Sequence, residues 1–167
     1  MRLQRIVIIL AFIFVALANL DCGGKSAANN ANSSNATANA NAADTVNGAR
    51  TKVEDLSLLI NMPYDVQDVV WKQSKDQKKI TAIIHFDPDD EKKVIPEAEK
   101  FGPAQNVTIE IQSWFPDDLT AQSELHGDQP LTGKAYPANQ FFQDPYNSGR
   151  IVDIDGTDYY ILELTSQ

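Results

Sequence analysis

The chain has 167 residues, 23 acidic and 14 basic side chains, and one cysteine. The acidic balance argues against a nucleic-acid partner or an anionic lipid surface, because both would be repelled by its field. A single cysteine excludes an intramolecular disulfide.

The first segment has the pattern of a secretory signal. Arg2 and Arg5 precede an uninterrupted apolar run of 13 residues, Ile6–Ala18. A basic start followed by an apolar run of this length is typical of a signal peptide, and it falls short of the roughly 20 residues that a membrane-spanning helix needs. We therefore expect residues 1–21 to be a signal peptide.

The apolar run ends shortly before the only cysteine, Cys22, which two glycines and a polar run follow. This arrangement resembles a bacterial lipoprotein precursor, which implies that Cys22 becomes an acylated N-terminus on the cell membrane, facing the periplasm or the exterior. The usual motif has leucine three positions before the cysteine and a small residue directly before it, where this chain has Asn19 and Asp21. Two alternatives stay open: cleavage after Ala18, giving a soluble periplasmic or secreted protein, and an uncleaved anchor.

Residues 22–49 form a predicted tether behind the lipidation site. Within it, Ser26–Ala43 contains only Ala, Asn, Ser and Thr over 18 residues. Such a segment cannot bury enough apolar surface to offset its ordering entropy, so we expect it to be disordered. A flexible coil of about 28 residues has an end-to-end distance of roughly 30 Å, which would keep the following domain near a membrane without fixing its orientation.

Residues 50–167 remain for one folded domain. Beyond Asp44 the chain carries 21 acidic and 11 basic side chains. Four lysines are clustered where we expect a hairpin turn, and we interpret them as a solvated turn rather than a binding patch: Lys72, Lys75, Lys78 and Lys79.

The local patterns predict an α+β domain. Val53–Asn61 is a candidate strand, and apolar runs on both sides of the lysine cluster predict a hairpin, with a helix beginning at Pro63 as the alternative. Asp87 followed by Pro88 predicts the start of a helix that runs to about Phe101.

The second half of the domain adds further strands and another helix. Alternation at 107–111 predicts a half-buried strand, and Pro116 predicts a helix that runs to about Leu125. Asp155-Gly156 between apolar runs predicts a terminal hairpin whose last strand is central, because it is apolar on both faces. We expect a mostly antiparallel sheet of about five to six strands, packed by two helices on one side.

Three acids surround the last turn: Asp153, Asp155 and Asp158. A two-residue loop would set Asp153 opposite Asp158, so either the loop is longer or a cation lies between them. The spacing is similar to the start of an EF-hand loop, but the bidentate Glu and the flanking helices are missing. Asx-turn chemistry is therefore the favoured interpretation, and a calcium-stabilised structural module is an alternative.

Four aromatic residues occur in loop-like sequence, where binding residues concentrate: Tyr136, Phe141, Phe142 and Tyr146. They are the candidate ligand-binding residues, for a glycan or a peptide. Core packing is the favoured alternative, because aromatic side chains bury large areas in small domains.

Catalysis has little support in the sequence. Neither His85 nor His126 belongs to a known catalytic or zinc-binding motif, although His126 lies near Glu124 and Asp128. We expect a non-catalytic binding or scaffolding role at the cell envelope, with an envelope protein or glycan as partner and no cofactor. A metal-dependent or hydrolase-like envelope enzyme is the alternative.

Overall fold

The computed structural model describes residues 45–46, 48–125 and 130–167. The predicted signal peptide, Cys22, nearly all of the predicted tether and His126 lie outside these ranges. The elements in chain order are β1 (Thr45–Val46), β2 (Ala49–Arg50), α1 (Val53–Ser57), β3 (Val66–Gln73), β4 (Lys79–Phe86), α2 (Pro88–Ala98), β5 (Gln105–Ile109), α3 (Asp117–Leu125), β6 (Leu131–Pro137), β7 (Tyr146–Ile154) and β8 (Tyr159–Ser166). No helix of the described ranges is both long and apolar enough to cross a membrane.

The strands form one antiparallel sheet in the order β1-β2-β3-β4-β8-β7-β6-β5. The α+β class and the antiparallel sheet are thus confirmed, as is the central place of the last strand, β8. The expected count of five to six strands was too low, because the two-residue strands β1 and β2 extend the sheet beyond β3.

The expected count of two helices was also wrong, because α1 occupies the predicted strand Val53–Asn61. Leu56 and Ile60 are fully buried four residues apart, whereas Leu58 between them is 77% exposed. That spacing is the period of a helix, in which residues i and i+4 share a face, and not the alternation of a strand. The sequence Leu-Ser-Leu-Leu-Ile fits both patterns by composition, and burial distinguishes them.

The helices pack on both sides of the sheet, which corrects the expectation of one side. Val94 and Ala98 of α2 join one core cluster with α1. Leu119 of α3 joins a second cluster with Trp114 and Phe115. Successive strand residues alternate between the two clusters, so they lie on opposite faces of the sheet. We call them the α2 face and the α3 face.

Local signals explain the helix and the hairpin that were predicted correctly. The carboxylate of Asp87 accepts a hydrogen bond from the Asp89 amide at 2.9 Å and so caps α2, whose first residue is Pro88. The hairpin of β3 and β4 is confirmed in place of the helix alternative, with Trp71 paired to Ala82.

The terminal hairpin has a four-residue loop, residues 155–158, instead of a two-residue one. Asp153 therefore lies opposite Tyr160, not Asp158. The Thr157 hydroxyl donates to the Ile154 carbonyl and accepts from the Tyr159 amide, each at 3.1 Å, which stabilises the wider turn. The longer loop, one of the two alternatives, removes the opposition of like charges.

Tyr146 ties the start of β7 to the turn between β3 and β4. Its side chain is 1% exposed. Its hydroxyl accepts a hydrogen bond from the Gln73 side-chain amide at 2.6 Å and donates one to the Gln77 carbonyl at 2.7 Å. Gln77 has a φ of 58°, an uncommon conformation for a residue other than glycine. The hydroxyl therefore holds a strained turn in place.

We expect Tyr146→Phe to lower the free energy of unfolding by about 1–2 kcal/mol, because the Gln77 carbonyl and the Gln73 side-chain amide lose their partly buried partner. Urea denaturation at pH 7 measures the change. Tyr159→Phe is the control, since it removes a hydroxyl bonded to the exposed Asp118 and should cost less. Equal costs for the two variants would contradict the proposed role of Tyr146.

Candidate functional site

The α3 face is crossed by one segment, residues 110–116, which we call the crossing segment. It leaves the sheet edge after β5 and reaches β3, where the ammonium of Lys72 lies 5.3 Å from the centre of the Trp114 ring. Trp114 and Phe115 meet edge to face, with ring centroids 4.9 Å apart, and both are almost fully buried. These aromatic anchors fix the segment across the middle of the sheet.

A groove lies between the crossing segment and strands β4, β8 and β7. Its volume is about 140 Å³, and Val152 and Ile161 form its apolar floor beside Phe115. Polar residues of the surrounding strands and of the crossing segment form the rim: Thr81, Thr108, Glu110, Gln112, Arg150 and Glu163. Pockets for drug-sized molecules measure about 300 Å³ or more, so this groove suits a single side chain of a larger partner.

Three charged side chains on adjacent strands organise the rim. One oxygen of the Glu163 carboxylate accepts from the Lys79 ammonium at 2.9 Å. The other accepts from the Arg150 guanidinium through Nε and Nη2, both at 2.7 Å. Burial raises the pKa of Glu163, but the hydrogen bonds from Lys79 and Arg150 outweigh it, so this pKa lies below its ordinary value.

The lysine cluster is divided between strands and turn. Lys75 and Lys78 are exposed in the turn between β3 and β4, in the solvated position that was expected. Lys72 and Lys79 belong to the strands, and Lys79 joins the rim of the groove. Arg150 and Glu163 were not among the residues predicted from the sequence to form a site. The alternation of β8 could have indicated Glu163, the acid that follows Tyr159 and Ile161 on one face.

The four aromatic candidates lie in the core of the α2 face, away from the groove. Tyr136, Phe141 and Tyr146 are at most 6% exposed, and Phe142 is partly buried against the same cluster. Phe141 stacks on Phe86 with ring centroids 6.3 Å apart. This arrangement is the one that core packing predicts.

The three acids of the last hairpin do not share one site: Asp153 lies in β7, and Asp155 and Asp158 lie in the loop that follows it. Asp153 is half-buried beside Lys134, its partner on β6. Asp155 accepts a hydrogen bond from the Thr132 hydroxyl at 2.7 Å, and Asp158 is exposed in the loop. In the ranges that the structure describes, no three His, Cys, Asp or Glu side chains are grouped to hold a metal ion.

His85 lies outside the groove, on the same face. Its neighbours in register are Asp68 on β3 and Tyr159 on β8, whose ring centroid is 5.4 Å away. Burial raises the pKa of Tyr159, and the nearby carboxylates of Asp118 and Asp68 raise it further. The His85 imidazole thus lies between the carboxylate of Asp68 and the phenol of Tyr159, which keeps its proton.

Comparison with known proteins gives no relative: no protein-family model, curated protein or solved structure matches the chain. Its function is therefore inferred from the geometry of the groove and from the N-terminal pattern.

We expect Glu163→Gln to lower the free energy of unfolding at pH 7, by at most about 1 kcal/mol, because Lys79 and Arg150 lose their counter-charge. A carboxyl whose pKa is depressed in the folded state stabilises the fold above its ordinary value of 4.5 and loses this effect as the pH falls through the folded pKa. The difference between variant and wild type should therefore shrink as the pH falls from 7 through the folded pKa of Glu163, below which both side chains are neutral. Urea unfolding across this pH range measures the difference, and a difference independent of pH would contradict the assignment.

Removing the charge of Asp153 should stabilise the fold, in contrast to removing the charge of Glu163. Burial raises the pKa of Asp153, the Asp155 carboxylate raises it further, and Lys134 only partly offsets them. The folded state therefore disfavours the ionised carboxyl, and Asp153→Asn should raise the melting temperature at pH 7 but not well below the ordinary value of 3.8. Asp158→Asn, in the adjoining loop, is the matched control. A lower melting temperature for Asp153→Asn at pH 7 would show that the charge is stabilising.

Proposed function

We propose that this chain is a non-catalytic binding domain of the cell envelope, anchored through Cys22 and its tether, with the groove of the α3 face as its contact site. One observation carries the proposal: a groove of about 140 Å³, with the almost fully buried Val152 and Ile161 at its base, lies inside an ion-paired rim. An apolar centre within a polar rim is the composition of a protein recognition site.

The partner that fits this groove is a protein that presents one apolar side chain. Full burial of one such side chain contributes about 1.5–3 kcal/mol, and this groove, whose floor is already almost covered, would provide only part of that. The rim would add orientation, because Arg150 keeps N–H groups beyond those it gives to Glu163, while Glu110 is exposed at the opposite wall. The affinity of such a contact is low by itself, which would be sufficient for two proteins confined to the same membrane.

The N-terminal pattern supplies the location in this proposal. The acylated Cys22 would hold the chain at the membrane, and the tether would give the folded part a reach of roughly 30 Å. Confinement within that distance raises the effective concentration of a partner in the same membrane. A weak groove contact would then be sufficient for stable association.

A photo-crosslinking amino acid at Glu110 in the full chain, expressed in the source cells, tests the proposal. We expect one discrete crosslinked species, because Glu110 is exposed at the rim. The same probe at Glu54, exposed on α1 of the other face, is the control for chance encounters.

A second experiment fills the groove with a larger side chain. Thr81→Trp should abolish the crosslink because Thr81 lines the groove. Thr165→Trp is the matched control, since Thr165 is as partly buried on the same face but does not line it. Thermal melts verify that both variants fold. Crosslinking that survives Thr81→Trp, or that occurs equally from Glu54, would contradict the assignment of the groove.

A further inference from the structure

Basic side chains are concentrated at one end of the sheet. The turn between β3 and β4 carries Lys75 and Lys78, and Lys79 begins β4. Arg150 joins them, because its partner Glu163 also binds Lys79. We call this region the lysine end and define it by five residues: Lys72, Lys75, Lys78, Lys79 and Arg150.

The lysine end keeps a positive charge. Two acids contact it, Asp76 in the turn and Glu163 between Lys79 and Arg150, so its five basic groups exceed these acids by three. The side chains of Lys75 and Lys78 are exposed, and no ion pair within the described residues involves them. They are therefore available to an anion outside the chain.

Many of the acids that give the chain its net charge of −9 lie at the other end of the same strands. β4 runs from Lys79 to Phe86, and the acid-rich segment 87–91 follows it directly. At about 3.3 Å per residue, the eight residues of β4 separate the two ends by roughly 25 Å. The loop 155–158 belongs to the acidic end as well, because Tyr159, which follows it, pairs with His85 near the end of β4.

Salt separates the two ends electrostatically. At physiological ionic strength the Debye length is about 8 Å, so a charged surface at the lysine end is largely screened from acids about three times farther away. The acidic balance of the whole chain, which argues against an anionic lipid surface as partner, therefore does not describe this end of the sheet.

The predicted tether joins the fold beside the lysine end. Thr45, at the start of β1, pairs with Arg50 of β2, which in turn pairs with Trp71 of β3. Neighbouring strands are about 4.8 Å apart, so Thr45 lies roughly 10 Å from Trp71, the residue before Lys72. A membrane that holds the tether is thus within reach of the lysine end.

We propose that the lysine end docks on the anionic lipid headgroups of the membrane that carries the tether. This inference rests on the proposed anchoring through Cys22 and goes beyond it, because it gives the folded part an orientation. Each lysine close to such a surface raises the apparent affinity about fivefold. Confinement by the tether adds to the effect, because it raises the local concentration of headgroups.

Docking at this end also positions the groove. Thr81, which lines the groove, is two residues from Lys79 on β4, and Arg150 belongs to both the groove and the lysine end. The groove would therefore lie close to the headgroups, where a partner in the same membrane would meet it.

Fluorescence quenching in reconstituted vesicles tests the docking. The full chain carries a fluorescent amino acid at Gln77, which is exposed in the turn of the lysine end. It is incorporated into vesicles of phosphatidylcholine alone or of equal parts phosphatidylcholine and phosphatidylglycerol, each with a nitroxide on some headgroups as quencher. We expect quenching in the anionic vesicles only, and its loss at high salt, because salt screens the attraction. The same fluorophore at Asp158, exposed at the acidic end, should stay unquenched.

Charge reversal identifies the residues responsible. Lys75→Glu combined with Lys78→Glu should lower the ratio of docked to undocked molecules by roughly tenfold or more, because two cations become anions. Lys92→Glu combined with Lys93→Glu is the matched control, since it changes the net charge equally at exposed positions of α2 and should have a much smaller effect. Thermal melts verify that both variants fold.

The outcomes separate docking from anchoring. Equal quenching in neutral and anionic vesicles, or equal losses from the two charge reversals, would overturn docking of the lysine end. An unquenched Gln77 label on chains that float with the vesicles would also overturn it and would leave the anchor intact. Flotation with anionic vesicles alone would support docking and contradict the anchor, whereas flotation with neither vesicle would contradict both.

Discussion

The structure depends on one pair of strands, β4 and β8, which are buried on both faces at the centre of the sheet. Ile83 and Ile161 pack on the α3 face, and Ile84 and Leu162 pack on the α2 face, all at most 4% exposed. Burial of such a side chain contributes about 1.5–3 kcal/mol. Because this pair is apolar on both sides, the sheet requires cover on both, and the placement of the helices follows from that requirement.

The two faces of the sheet are covered to different extents. On the α2 face, two helices and the aromatic cluster around Phe86 close the core. On the α3 face, the crossing segment and α3 cover the centre, and the rest of the sheet carries Lys79, Glu163 and Arg150. The groove forms at the boundary between the covered and the uncovered part. The candidate site is thus a consequence of how the chain returns from β5 across the sheet.

Features that depend on neighbouring residues in the sequence were predicted correctly. Asp87 and Pro88 indicated the start of α2, and the apolar run of β8 indicated a central strand. The segment around Leu56 and Ile60 was wrongly predicted as a strand, because a short apolar run fits a helix and a strand equally well. Only its packing in the folded chain distinguishes the two. The alternation of β8 could indicate the face of Glu163 but not its pairing with Arg150, because the two side chains meet only through strand register. The opposite placement of α2 and α3 is likewise set by long-range packing and not by either helix's own residues.

The intact mass of the mature protein decides whether Cys22 displays this domain from a membrane, as we propose. Membrane and soluble fractions are measured separately. We expect a membrane species that begins at Cys22 and carries added acyl mass. A soluble species that begins at Asn19, or a membrane species that retains residue 1, would contradict it.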